Sequence, residues 1–198
     1  EIYTLSLHDA LPIFDYFLCT AHKPKIIVNP NGEWRIGGSV SDCGVTGRKI
    51  VVNQFGGYCS VGGGNIGGKD LSKIDRSAAY MCRYLAKNIV ATDISDVAKV
   101  ELSYMIGVPQ PSSINIELSR NQYHADDIVQ WIKDNVDLSP SGIIRRFDGS
   151  FPRYYNTALH GHYGKTDKEM QDAETAKLYP WEKTDLVGGL LHFLNTKK

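Results

Sequence analysis

Seven glycines fall between residues 56 and 68, and an apolar stripe of helical period begins only six residues after the last of them. Glycine reaches backbone conformations closed to other residues and lets other groups approach the main chain closely, so such a run belongs to neither a helix nor a strand interior. It is a loop. Residues 48–53 (RKIVVN) before it read as a strand. After it, Ile74, Ala78, Met81, Leu85 and Ile89 recur at spacings of three and four, the signature of an amphipathic helix. Ser72 is the expected N-cap. Cations bracket the loop, with Arg48 and Lys49 on one side and Lys69 and Lys73 on the other.

Backbone amides that approach closely, together with cations, are what a polyphosphate requires. Lys73 would fall in the first helical turn, where a cation opposes the macrodipole at a cost of roughly 0.3 to 1 kcal/mol unless an anion occupies that end. Lys69 and Lys73 are four apart and would share a face if the helical turn starts early. The alternative is a flexible turn followed by a solvated lysine pair. Residues 63–69 match G-x-x-x-x-G-K, but Asp70 stands where a P-loop needs a Mg²⁺-binding Ser or Thr, and residues 58–61 make a weak strand, so a P-loop kinase or ATPase is disfavoured.

Charge does not extend this signal over the molecule. Lys plus Arg and Asp plus Glu both number 22, which leaves no global field for nucleic acid, and 42% apolar with 22% charged residues is ordinary for a soluble globular protein. Residues 50–68 are uncharged, yet their glycines, Asn53, Gln54 and Asn65 exclude a membrane span. Cys19, Cys43, Cys59 and Cys82 show no metal or redox spacing, so reduced thiols in the cytoplasm are expected.

Elsewhere, residues 25–28 (KIIV) read as a strand closed by the Asn29-Pro30-Asn31-Gly32 turn. Alternation over 100–106 and 114–118 suggests two antiparallel strands, residues 125–136 a second helix with Asp126 and Asp127 in its first turn, and 142–147 a further strand. The expected class is α+β, an antiparallel or mixed sheet with helices packed on one face. The first thirteen residues, EIYTLSLHDALPI, resemble the conceptual translation of a sequencing adapter and are expected to lie outside the fold.

The succession G-G-x-x-x-D-x-G-x-T-G-R-K-I from Gly37, then G-G, G-G-G, G-K-D and K-x-D-R-S-A-A-Y, resembles the S-adenosylmethionine synthetases in order and spacing. Ser103-Tyr104, Ile106-Gly107-Val108, Gly161-His162-Tyr163-Gly164 and Pro180-Trp181-Glu182 extend the resemblance over residues 26–182. It implies the end of a central domain at 14–34 and the carboxy-terminal domain at 35–198. It also implies the chemistry, in which the thioether of L-methionine attacks C5′ of ATP and the tripolyphosphate leaving group is then cleaved to phosphate and pyrophosphate. A thioether carries no proton, so the first step needs no general base and depends on stabilising a highly negative leaving group.

Carried over by motif, Arg48 and Lys49 would contact the polyphosphate and Lys69 the phosphate near scission, all three in catalytic roles. Lys73 would lie at the methionine end, Asp42 near methionine and adenosine, and Asn65 at ATP through its backbone. Asp75 would be a Mg²⁺ ligand or lie just behind one. His160 and His162 look structural. Val61, Asn65, Ile66 and Gly67 depart from the usual loop residues, and Ser39 and Ser41 from the usual G-G-P-x-G-D. The family's H-P-D and G-A-G-D-Q-G segments and the acid that holds K⁺ do not occur in these 198 residues, so this stretch alone is expected to lack synthetase activity. A homodimer or homotetramer is implied for the intact protein, and the competing reading is a non-catalytic nucleotide- or polyphosphate-binding subunit.

Overall fold

The computed structural model describes residues 27, 30–33, 35–41, 50, 54–120, 123–147, 154–159 and 161–197. The strand expected at 25–28 falls largely outside these residues, as do Asp42, Arg48, Lys49 and His160; of the strand expected at 48–53 only Ile50 is described, in a turn. The chain divides into two compact units, residues 1–43 and 44–198. In the first, the described residues form one 3-10 turn, Gly38–Val40. The remaining elements belong to the second.

Its centre is helix α1, Ile74–Ala91, whose expected stripe is confirmed at Ala78, Met81, Leu85 and Ile89, all buried. Tyr80, Tyr84 and Asn88 are buried as well, so α1 is covered on more than the one face that the stripe defines. One side packs on strand β1, Ala98–Ser103, which pairs antiparallel with β2, Ser113–Leu118. Val100 faces Ile116 and Leu102 faces Ile114, while Lys99 sits opposite Glu117 with their charges 3.5 Å apart on the polar face. The period of two therefore sorts apolar from charged residues as expected. β1 begins and ends earlier than the expected 100–106, because Tyr104 to Ile106 leave the ladder, while β2 spans the expected 114–118 with Ser113 added.

Helix α2, Ala125–Asn135, packs on β2 and buries Ile128, Trp131 and Ile132. The strand expected at 142–147 is instead helix α3, Pro140–Arg146. Ser139 caps it by accepting the Gly142 amide at 3.0 Å, and Pro140 occupies the first turn, where its missing N–H costs nothing. These start signals outweigh the strand propensity of Ile143 and Ile144. Helices α4 (Tyr154–Leu159), α5 (Ala173–Leu178, capped by Asp172) and α6 (Val187–Thr196) complete the unit.

The other side of α1 holds the sequence-distant motifs. The Trp181 indole stacks on Tyr80 with centroids 3.6 Å apart and donates its N–H to the His162 carbonyl at 2.7 Å. Next to it the Glu182 carboxylate, 0% exposed, receives Arg83 in a two-point contact at 2.9 Å each, Lys87 at 3.2 Å and the Gly164 amide at 3.0 Å. Every oxygen is satisfied by a cation on α1 or by the Gly161–Gly164 turn. A buried charge lacking such partners would be too costly to retain.

Truncating Glu182 removes both of the carboxylate contacts of Arg83 and leaves Lys87 with only the Lys165 carbonyl and the exposed Asp167. Glu182→Ala is therefore expected to lower unfolding stability by about 3 to 5 kcal/mol, read from urea denaturation; a loss under about 1 kcal/mol would contradict the clamp.

Candidate functional site

The glycine-rich loop runs into the amino-terminal end of α1 and is fixed at both ends. Phe55 stacks on Tyr163 at 4.9 Å and 23°, and Ile66 is fully buried in the core. Between them the main chain passes directly against Asp75: a Cβ on Gly64 would lie 1.9 Å from the Asp75 Oδ1. No other residue fits there. Gly68 turns the chain with φ +73°, a value side chains rarely adopt, and delivers Lys69 back toward the helix.

Lys69 Nζ then donates to Asp75 Oδ2 at 2.5 Å. Asp75 thus holds a cation on one oxygen and the glycine backbone against the other. Asn65 is buried and its amide donates to the Gly67 carbonyl at 3.2 Å, bracing the turn from within. The departures at Asn65, Ile66 and Gly67 are thereby explained: two serve as anchors, and the third is a tight fit.

Ser72 does not cap α1. The Asp70 carboxylate accepts the Ser72 amide at 2.7 Å, and hydrogen bonds from Ser72, with Lys73 and Arg76 adding charge, hold the Asp70 carboxyl below its usual range. The turn displaces the helix start, so Lys73 becomes the N-cap residue in extended conformation, and no side chain caps this end. Its Nζ donates to Ser72 Oγ at 3.2 Å. Because both lysines precede the helix, the spacing of four does not place them on one helical face. What results is an uncapped helix N-terminus with a lysine as its cap residue and a second lysine held over the first turn by Asp75. Such an end favours anions.

Beside it, a groove of about 720 Å³ is lined by Gly62, Gly64, Asp75, Ala78, Cys82 and Val100, among others. That volume suits a nucleoside- or amino acid-sized ligand. Burial pushes the Cys82 thiol up to about 12, so it remains protonated there. Among the described residues no three His, Cys, Asp or Glu side chains gather to hold a metal ion. Asp75 is one carboxylate with an amine on it, which suits Mg²⁺ only as a single protein ligand completed by phosphate oxygens and water.

Residues 36–182 match the family described as S-adenosylmethionine synthetase, C-terminal domain. The chain belongs to this family. It is similar, at 34% identity and a TM-score of 0.63, to a solved structure described as an unusual S-adenosylmethionine synthetase from Campylobacter jejuni. The match covers 94% of this chain and 48% of that one, so the chain spans about half the length of that relative.

Of the synthetase residues expected from sequence, Asn65, Lys69 and Asp75 come together in one loop-to-helix knot, with Lys73 at its rim. Asp42, Arg48 and Lys49 lie outside the described residues. Arg76 was missed: it follows Asp75 in the K-x-D-R-S-A-A-Y motif yet is buried at 3% exposure. No spacing marks it, because two residues after Ile74 it falls on the side of α1 away from the apolar stripe and reads as a solvated cation. Its Nη1 donates to Tyr80 Oη at 2.7 Å, and the guanidinium lies 4.1 Å from the centre of the Tyr154 ring. No helix among the described residues is long and apolar enough to cross a membrane.

His162 sits in the aromatic core. Tyr80 Oη accepts from Arg76 and lies 2.8 Å from His162 Nδ1, so the imidazole shares a buried hydrogen bond with the phenol. Burial, then the Arg76 charge, lowers the imidazole below its ordinary 6.5. As pH falls below 6.5 the unfolded chain takes up this proton and the folded chain resists it, so stability declines. The melting temperature is expected to drop between pH 6.5 and 5, and His162→Gln to flatten that slope. An equal slope in both proteins would contradict it. The carboxylates held low, Asp70 among them, act only nearer pH 4 and below.

Proposed function

We propose that this chain is the triphosphate-holding part of a methionine adenosyltransferase, whose intact form makes S-adenosylmethionine from ATP and L-methionine and releases phosphate and pyrophosphate. The observation that carries the reading is the knot in which Asp75 holds Lys69 at 2.5 Å and abuts Gly64, at an uncapped helix end. A polyphosphate needs cations and free amides fixed in advance, and this arrangement supplies both.

In that role Lys69 stands over the departing phosphates and offsets the charge that develops as the C5′–O bond breaks. Asp75 orients the Lys69 ammonium, which spares reorganisation when the bond breaks. The α1 amides hold the anion against the helix head. Asp75 would hold a Mg²⁺ ion beside the phosphates, where the metal would supply further charge stabilisation to the leaving group. By their motif positions, Arg48 and Lys49 add cations to the same leaving group, and Asp42 and Lys73 serve methionine. We assign K⁺ dependence, cytoplasmic location and a homodimer or homotetramer to the intact enzyme on the same grounds.

The intact enzyme carrying Lys69→Ala is expected to lose about 10²- to 10³-fold in kcat for sulfonium formation, with its melting temperature nearly unchanged because a partly exposed ion pair contributes at most about 1 kcal/mol. Unchanged turnover would remove Lys69 from the mechanism.

A further inference from the structure

Arg76 violates two rules at once. It is a cation in the first turn of a helix, the end that repels positive charge. It is also 97% shielded from solvent, by the 3% exposure it retains, with no carboxylate paired to it among the described residues. Its Nε is buried without a hydrogen-bond partner, and among the described residues Tyr80 Oη is the one side-chain acceptor it reaches. The faces of Tyr154 and Tyr80, at 4.1 and 5.6 Å, return about 2 kcal/mol, less than the several kcal/mol that burying an ion costs. A buried charge of this kind opposes folding, and an apolar residue of equal volume would be the more stable choice. The Arg76 charge is also the smallest of the influences that hold the Asp70 carboxyl low.

From this uncompensated burial we infer that Arg76 is an electrostatic positioning residue of the anion site, a fixed positive charge beneath the α1 terminus whose counter-ion is the bound polyphosphate itself. The inference rests on the proposed function. Lys69 meets the anion from the solvent side and is screened by water; Arg76 acts from the low-dielectric side, where a charge is felt further. It need not touch the ligand. Its planar group is held flat against Tyr154 while Tyr80 takes one N–H, so the charge cannot swing toward water when the site is empty. The design trades fold stability for a field that exists before the ligand arrives.

The chain is titrated with inorganic tripolyphosphate in Mg²⁺ by calorimetry, and its melting temperature is read without ligand. Arg76→Gln, which keeps a donor for Tyr80 and loses the charge, is expected to bind about tenfold more weakly while melting no lower than the original protein. Arg76→Lys, which keeps the charge and loses the planar fork, is expected to bind within about threefold of it. That pairing of weaker binding with undiminished stability is not what a packing residue shows. Equal affinity in Arg76→Gln, or a drop in Arg76→Lys as large as in Arg76→Gln, would overturn the inference. If Arg76→Gln does not fold, the inference is overturned too, since its core claim is that the charge opposes folding. Lys69→Ala is titrated alongside: if it binds like the original protein, the proposed site itself is wrong, whereas loss there with full binding in Arg76→Gln refutes Arg76 alone.

Discussion

The Glu182 carboxylate, shut away from water, governs how the rest of the second unit is arranged. A buried carboxylate must find its donors or remain exposed, and here its donors come from two places: Arg83 and Lys87 on α1, and the Gly164 amide of the Gly161–Gly164 turn. Satisfying one side chain therefore locks the late segment, the turn and the central helix into a single register. Tyr163 is placed by that turn, Phe55 stacks on Tyr163, and Arg83 lies 5.9 Å from the Phe55 ring. The start of the glycine-rich loop is thus positioned by a charge more than a hundred residues later in sequence.

With its start fixed by Phe55 and its end by Ile66, the loop has little freedom left, and Gly64 spends it on contact with Asp75. Fixing a flexible segment costs roughly 1 to 2 kcal/mol per residue in backbone entropy, so the anchors must come from the fold rather than from a ligand if the site is to be ready in advance. The aromatic stack of Trp181 on Tyr80 performs the same service one turn further along α1. Chemistry and fold share this helix: its first turn faces the site, and the next two carry the clamp.

Much of this was legible in the sequence because it is written in periods. The α1 stripe, the paired strands with Val100 and Ile116 facing one way, and α2 all follow from spacing, and the family follows from motifs in order. What failed was local competition. Ile143 and Ile144 favour a strand until the Ser139 cap and Pro140 are counted, and Ser72 looks like a cap until Asp70 takes its amide. The roles of Asn65 and Ile66 as buried anchors cannot be seen in residues that look like loop filler. Nor can the burial of Arg76 be read from its type, since arginine is rarely buried without a partner.

The central claim is that the head of α1 and the loop before it form a preorganised polyphosphate site. Amide chemical-shift mapping of the chain, titrated with tripolyphosphate and Mg²⁺, tests it most directly. The account predicts that the largest shifts cluster at residues 62–76 and that Phe55 and Tyr163, already stacked, barely move. Shifts centred elsewhere on the molecule, or a general rearrangement of residues 54–64 on binding, would contradict it.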